Sequence, residues 1–444
     1  MLRYSEWGKC LAASADTEVW ATACPQSSLD DSEPFRVMPF PRVEAFREFP
    51  HNYLRRLNEF AWDYRLRAPS RLSMIQNVRN RTQPAHIRAL KIPARLMAWT
   101  GCHQAFEERL NRLLLAYSRS PEASQRLRDS RPAVLVTTGP CRYEEPAVVA
   151  EAINLGIPVM ALITSWDNVS TKGRIMFGYD GYLVWSEQMK RELHHFYPSS
   201  REVPVYVVGA PQFDVFFQER FQQSREEFCR TQGLDPSKPY ILYALGSPNF
   251  LKEHHGALAF AQRVQRGELG DIQVLVRPHP LFDNGKEAEL LRDMGPNVVV
   301  QNTGDAGKPL PVRTQDENQI NEWVNTFHHA NVVVNLSSTV AIDAAFFDRP
   351  VVNLDFDPEP GQPNQTLVKD VNHLWTHFKP IAESGGVWLA NDMDEVVHAV
   401  REYLSHPELH RERRRWMAEC VCGFVDGQSG KRAAKAILDF RQRV

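Results

Sequence analysis

At 444 residues, with 43% hydrophobic and 24% charged side chains, the chain has the composition of a globular protein and the length for two ordinary cores rather than one. No apolar run approaches the roughly 18 residues that cross a bilayer, which argues against helical membrane spans. A net charge of −2 argues against the strongly basic balance of a general nucleic-acid binder.

The first residues, Met1 to Trp7, lack the basic start and apolar stretch of a secretory signal, so a cytoplasmic location is expected. Cysteine usage fits that location. Cys10, Cys24, Cys102, Cys141 and Cys229 stand singly, Cys420 and Cys422 are too close to pair comfortably, and no C-x-x-C occurs.

In chain order, short strands are predicted at 18–23 and 35–38. Residues 51–132 then carry 15 Arg and 1 Lys against 6 Asp plus Glu. Apolar residues are interleaved, as in Tyr53-Leu54-Arg55-Arg56-Leu57 and Arg109-Leu110-Asn111-Arg112-Leu113-Leu114-Leu115. This pattern predicts amphipathic helices with a basic face. That face is either a solvated surface or a dock for anionic lipid head groups or an anionic acceptor, the latter placing the protein peripherally at the inner face of the membrane.

Strands at 133–137, 158–164, 181–185 and 204–208 alternate with helical segments at 144–155 and 187–196, the pattern of a parallel sheet covered on both faces. The turn-rich segment 232–239 reads as a linker. Residues 1–231 are therefore expected to form a first, acceptor-side Rossmann-like domain. A second series gives strands at 240–245, 272–276, 298–301, 332–336 and 351–355, with helices at 253–265, 317–329, 339–347 and 393–404. It predicts a nucleotide-binding Rossmann-like domain over 240–420. A helix at 429–440, in a closing segment 421–444, is free to cross back to the first domain. The expected class is α/β, with two doubly wound parallel-sheet domains facing a central cleft.

Ligands of parallel sheets bind beyond the strand C-termini, at helix N-termini. Three loops in that position carry chemistry. In Asn335-Leu336-Ser337-Ser338-Thr339-Val340-Ala341-Ile342-Asp343, three hydroxyls crown an Ala-rich helix, a site for a diphosphate; the alternative is an ordinary N-cap at Ser337 or Ser338. Asp343 is placed to accept from a ribose diol, or is an exposed helix acid. In Val276-Arg277-Pro278-His279-Pro280, prolines fix a loop that holds a histidine able to donate to a phosphate oxygen or to protonate a leaving phosphate. Arg277 serves the same anion or pairs with a neighbouring acid.

The third loop is Thr164-Ser165-Trp166-Asp167-Asn168-Val169-Ser170-Thr171-Lys172-Gly173. Asp167 is a candidate base for an acceptor hydroxyl and Lys172 a candidate to neutralise phosphate, with Trp166 and Asn168 on the acceptor side; the alternative is a capped helix start. Glu144 or Glu145, after Gly139-Pro140-Cys141-Arg142-Tyr143, is a reserve base. Ser247, in Gly246-Ser247-Pro248-Asn249, is a weaker phosphate contact.

The P-loop, G-x-G-x-x-G, H-E-x-x-H and G-x-S-x-G patterns are missing, which removes the main supports for ATPase, dehydrogenase, zinc-protease and α/β-hydrolase readings. Asp355-Phe356-Asp357 matches D-x-D but follows a late strand, so no metal site is assigned and no cofactor is expected.

The Arg277-Pro278-His279-Pro280 and Ser337-Ser338 pair resembles the HP and SS motifs of bacterial GT-B glycosyltransferases, including sialyl-, polysialyl- and Kdo-transferases and the CDP-glycerol glycerophosphotransferases. The resemblance implies a GT-B fold and a nucleotide-phosphate role for His279, Ser337 and Ser338. The helix at 338–347 resembles the ribose-binding helix of UDP-N-acetylglucosamine 2-epimerases, where an acid stands at the place of Asp343. Ser165-Trp166-Asp167-Asn168 with Lys172-Gly173 occupies a place similar to a W-H-G-T-P-x-K motif, with Asp167 where that motif has its histidine base. The likeness covers about residues 133–440, and the first 130 residues match less well.

The expectation is therefore a metal-independent transfer of a sugar or related group from a nucleotide-activated donor to a sugar, lipid-linked or other small acceptor, as in surface polysaccharide or glycolipid synthesis. Two alternatives are a nucleotide-sugar 2-epimerase or hydrolase, and a non-catalytic nucleotide-sugar-binding subunit.

Overall fold

The computed structural model describes residues 1–22, 34–44, 49–79, 83–117, 119–247, 251–279, 286–302 and 316–443. The predicted positions Cys24, Pro248, Asn249 and Pro280 lie outside them.

Three parallel sheets form among these residues. Strands β1 (Glu18–Ala21) and β2 (Arg36–Pro39) pair only with each other. The first large sheet contains β3 (Leu135–Thr137), β4 (Val159–Leu162), β5 (Gly181–Val184) and β6 (Val205–Val207), in that order. The second contains β7 (Tyr240–Ala244), β8 (Gln273–Arg277), β9 (Val298–Val300), β10 (Val332–Asn335), β11 (Val351–Leu354) and β12 (Trp388–Ala390). Its spatial order is β9-β8-β7-β10-β11-β12. The order reverses between β7 and β10, and that reversal opens a crevice at the strand C-termini.

Period-two alternation in β-branched runs builds the two faces of the second sheet. Ile241, Val274, Val276, Val332 and Val334 enter one apolar cluster, while Leu242, Leu275, Val333 and Val351 enter another. Helices start where polar caps allow: Ser186 accepts from Met189 N–H, Asp392 from Glu395 N–H, and Asp316 with Gln319 forms a capping box.

Two segments cross between the halves. The stretch after β6 lies on the second half: Phe213 and Phe216 pack on Trp323 and Phe346 with centroids 4.6–6.1 Å apart, contacts worth about 0.5–1.5 kcal/mol each beyond burial. In return the helix Ser429–Arg441 lies on the first sheet, where Ala433, Ile437 and Phe440 join Met160, Leu162 and Leu183. Asp214 receives the N–H groups of Ser429 (3.1 Å) and Gly430 (2.7 Å) at that helix start. The strand C-termini of the two sheets face each other across this junction, the GT-B architecture. No helix among the described residues is long and apolar enough to cross a membrane.

Candidate active site

Strand register sets the donor-side geometry. Ala244 of β7 is level with Arg277 of β8 on one side and with Asn335 of β10 on the other. The loops carrying Ser247, His279 and Ser337 to Thr339 therefore leave one sheet edge at one height. At about 4.8 Å per strand, β8 and β10 lie roughly 10 Å apart across β7, a gap on the scale of a nucleotide diphosphate. His279 stands two residues beyond β8, half-buried.

Glu253, which sequence reasoning passed over, closes the floor of this crevice. It stands just before the helix His254–Gln265, is buried, and accepts the N–H of Gly246 after β7 and of Leu336 after β10. Burial pushes its carboxyl up to about 8, and those two donors only partly offset the rise. Its other oxygen has no hydrogen-bond partner among the described residues.

The three hydroxyls each have a partner. Ser337, at φ +23°, is in a region that L-residues rarely adopt and that recurs at functional sites. Its hydroxyl donates to Asn372, which donates to Asp355 at 2.9 Å; Asp355 also holds Lys369 (2.6 Å) and His373 (3.0 Å). Ser338 donates its N–H and hydroxyl to Asn335 Oδ1, each at 3.2 Å, and its hydroxyl accepts Val340 N–H at 3.3 Å. The N-cap of the helix Val340–Phe346 is Thr339, whose side chain makes no capping bond, so neither Ser337 nor Ser338 is its N-cap. Thr339 accepts from the indole N–H of Trp166 at 3.3 Å.

One donor-side expectation changes, and one alternative falls. Arg277 is committed to Gln301 Oε1 at 2.6 Å and to Glu322 at 3.5 Å, so it realises the ion-pair alternative rather than facing an anion. Asp343 is buried, not an exposed helix acid. Burial pushes its carboxyl up to about 7, against the pull of Arg277 and a bond from Trp323.

On the first-half side, Asp167 is held by the hydroxyls of Ser165 and Thr171 (the latter at 3.0 Å), and Lys172 Nζ lies 3.9 Å away. Burial opposes its charge, but Lys172, His377 and the hydroxyls hold its pKa below the ordinary value, so it is ionised at neutral pH. Asn168 donates to Thr164 Oγ1 at 3.4 Å. Trp166 is a correction. At 3% exposure it is not available to an acceptor and spans the two halves instead. Its ring meets His377 edge-on at 5.0 Å and Phe378 at 5.7 Å.

His377 is the second residue missed. It comes from the second half, is buried, and lies 3.0 Å from Ser170 Oγ of the first. Burial lowers its pKa to about 4, with Lys172 adding to the drop and Asp167 opposing it. Behind it Gln188 donates to His377 O (3.0 Å) and to Glu192 (3.1 Å). Burial pushes Glu192 up to about 8.

Glu145 is spent on its own loop, accepting Thr138 N–H at 3.1 Å and Gly139 N–H at 2.6 Å. Glu144 stands at the N-cap of the helix Glu145–Asn154, at the C-terminal end of the first sheet. The basic segment is not simply a solvated surface. Arg55, on the helix His51–Leu66, is buried against Glu59 (3.2 Å) and donates to the carbonyls of Cys141 (2.9 Å) and Arg142 (3.1 Å). A cavity of about 340 Å³ lined by Asn111, Leu115, Ile153 and Phe177 lies at the opposite end of the first sheet, under the strand N-termini, remote from these loops.

Residues 170–439, more than half of the chain, match the family described as CDP-glycerol:poly(glycerophosphate) glycerophosphotransferase. No curated protein matches the sequence. Among solved structures, the chain is similar to the S. aureus MnaA–UDP co-structure, at 14% identity over 76% of this chain and 82% of that one, with a TM-score of 0.48. It is similar to UDP-GlcNAc 2-epimerase from Neisseria meningitidis bound to UDP-GlcNAc, at 14% identity over 75% and 82%, TM-score 0.48. It is similar also to the wall teichoic acid polymerase TagF, at 13% identity over 60% of this chain and 59% of that one, TM-score 0.41. The sequence match over the C-terminal three-fifths assigns the chain to the CDP-glycerol:poly(glycerophosphate) glycerophosphotransferase family.

Proposed function

We propose that the protein is a GT-B enzyme that binds a nucleotide-activated donor in its C-terminal half and transfers the activated sugar or polyol group to an acceptor held by its N-terminal half. The observation that carries this reading is the register that sets the His279 loop and the Ser337-Ser338-Thr339 loop on either side of β7 at one sheet edge. The family description, with its CDP-linked donor, makes a cytidine nucleotide the first to test.

In this reading His279 donates to the leaving phosphate, and the hydroxyls with the helix start spread its developing charge. Ser247 borders the same crevice, and Asp343 supports the ribose end. Asp167, ionised and beside Lys172, takes the proton of an acceptor hydroxyl, with Glu144 in reserve. No nucleic acid enters, and the expected setting is the cytoplasm, at the inner membrane surface. The test is donor turnover with and without acceptors: His279→Ala and Ser338→Ala should each slow transfer about 100-fold, and near-normal turnover in both ends the assignment.

A second reading, a nucleotide-sugar 2-epimerase or hydrolase, is favoured by one contact. Trp166 and Thr339 join the two halves directly over the donor loops, an enclosure that suits a reaction on the donor alone. Consumption of donor at full rate without acceptor selects this reading. Nucleotide binding without turnover across the whole panel selects a binding subunit.

A further inference from the structure

The neighbours of Ser337 fix the polarity of its hydroxyl. Asn372, on the helix Gln365–His373, is fully buried, and its amide N–H groups meet Leu354 O at 3.3 Å and Asp355 Oδ1 at 2.9 Å. A carbonyl cannot donate, and Asp355 is paired through its other oxygen with Lys369 and His373. Turning the Asn372 amide over would set its oxygen against two acceptors. The amide oxygen therefore faces Ser337. That oxygen has no hydrogen to give, so the Ser337 hydroxyl must donate to it.

This chain of contacts runs outward from the interior. Asp355 and Asn372 are buried, whereas Ser337 is half-buried at the sheet edge after β10. It also accounts for the backbone of Ser337 at φ +23°, a conformation that persists where the surroundings over-determine it. Its consequence is chemical. With its hydrogen spent, the Ser337 oxygen offers a ligand lone pairs alone. An anionic phosphate oxygen is repelled there, and a hydroxyl is attracted. Thr339 has the opposite polarity. The Trp166 indole N–H can only donate to it, and among the described residues its own hydrogen has no acceptor, so that hydrogen remains for a phosphate oxygen.

We infer that Asp355 and Asn372 are positioning residues that make Ser337 an acceptor for a ligand hydroxyl, so that this corner of the site selects the hydroxyl-bearing part of the donor rather than its diphosphate. Within the donor-site reading above, on which this rests, Ser337 moves from the phosphates to a hydroxyl. That hydroxyl belongs to the ribose or to the transferred sugar or polyol.

The experiment is calorimetric titration of inorganic pyrophosphate, CDP and CDP-glycerol, with UDP and UDP-GlcNAc as a second series, into the wild type, Ser337→Gly and Asn372→Leu. Glycine tolerates φ +23°, so Ser337→Gly removes the hydroxyl without backbone strain and should fold even if Asn372→Leu does not. Pyrophosphate should bind Ser337→Gly as it binds the wild type, while the ligand that carries the hydroxyl should bind about three- to tenfold more weakly. Equal losses for CDP and CDP-glycerol, or for UDP and UDP-GlcNAc, assign the ribose. A loss confined to CDP-glycerol or UDP-GlcNAc assigns the transferred group. Asn372→Leu releases the Ser337 hydrogen and should show the same weakening with pyrophosphate bound no less tightly, a change of preference that lost stability alone does not produce. Pyrophosphate weakened as much as the nucleotides in Ser337→Gly, or no ligand weakened at all, overturns the inference and leaves the donor site standing. Binding of none of the probes to the wild type removes the donor site itself, and the role of Ser337 with it.

Discussion

The indole Nε1 of Trp166 lies 3.3 Å from the hydroxyl of Thr339, so one hydrogen bond joins the loop after β4 to the helix start after β10. Next to it Ser170 and His377 lie 3.0 Å apart across the same junction. The loop that holds Asp167 is thereby positioned by the half that holds His279. Domain contact and site geometry are one structure here.

Replacing Trp166 separates its two roles. Trp166→Phe keeps most of the packing on His377 and Phe378 and deletes the bond to Thr339. Urea unfolding should show a loss of about 1 kcal/mol and a larger fall in kcat than in nucleotide affinity. Trp166→Ala also opens a cavity and should cost about 3–5 kcal/mol. Unchanged kcat in Trp166→Phe would show that the bond does not set the site.

Glu253 makes stability depend on pH in the alkaline direction. The unfolded chain releases this proton near the ordinary glutamate value of 4.5, whereas the folded protein keeps it to about 8. Between those values the folded state binds more protons, so stability falls as pH rises through the window. Glu253→Gln still accepts from Gly246 and has no proton to lose. Its Tm should decline less than that of the wild type between pH 6 and pH 9, pH values chosen to straddle about 8. Parallel declines would show that Glu253 is not the group responsible.

His377 acts on the acid side. Its unfolded value is 6.5 and its folded value about 4, so in that interval the unfolded chain binds more protons and stability is lost as pH falls. His377→Asn removes the titration, and its Tm profile should be flatter between pH 4 and pH 6.5. Loss of turnover with intact nucleotide binding in this variant would mark His377 as positioning the Asp167 loop. A loss of nucleotide binding would place it in the donor site instead.

Arg71 and Asp63 form an ion pair at 3.2 Å, with both side chains 2% exposed, and Arg71 also donates to Val169 O at 2.8 Å beside the candidate base loop. Asp63→Ala leaves a buried guanidinium without its counter-charge and should cost about 3–5 kcal/mol, read as a lower denaturation midpoint with unchanged slope. Removing both partners in Arg71→Met/Asp63→Leu should recover part of that loss.

Local pattern made much of this legible. Valine-rich runs such as 332–334 and 351–352 announce buried parallel strands, and the hydroxyl crown after β10 announces a helix start. Other features had no local signature. Glu253, His377 and Glu192 are single polar residues whose burial depends on segments far away in sequence. Arg277 and Arg55 looked available for anions because their partners, Glu322 at 3.5 Å and Glu59 at 3.2 Å, are set by packing in three dimensions. Trp388–Ala390 is a three-residue strand, too short for any periodicity to show. Trp166 stands in a polar loop and reads as an acceptor-side residue; contacts with His377, Phe378 and Thr339 of the other half bury it.

The most direct measurement is calorimetric titration of CMP, CDP, UDP, GDP and dTDP into the wild type, His279→Ala and Ser338→Ala. The account predicts that one nucleotide binds the wild type selectively and that both variants, still folded, bind it about tenfold or more weakly, as expected for loss of a charge-assisted contact. Equal affinity in all three proteins, or no binding of any nucleotide to the wild type, would contradict a diphosphate site shared by the His279 loop and the Ser338 helix start.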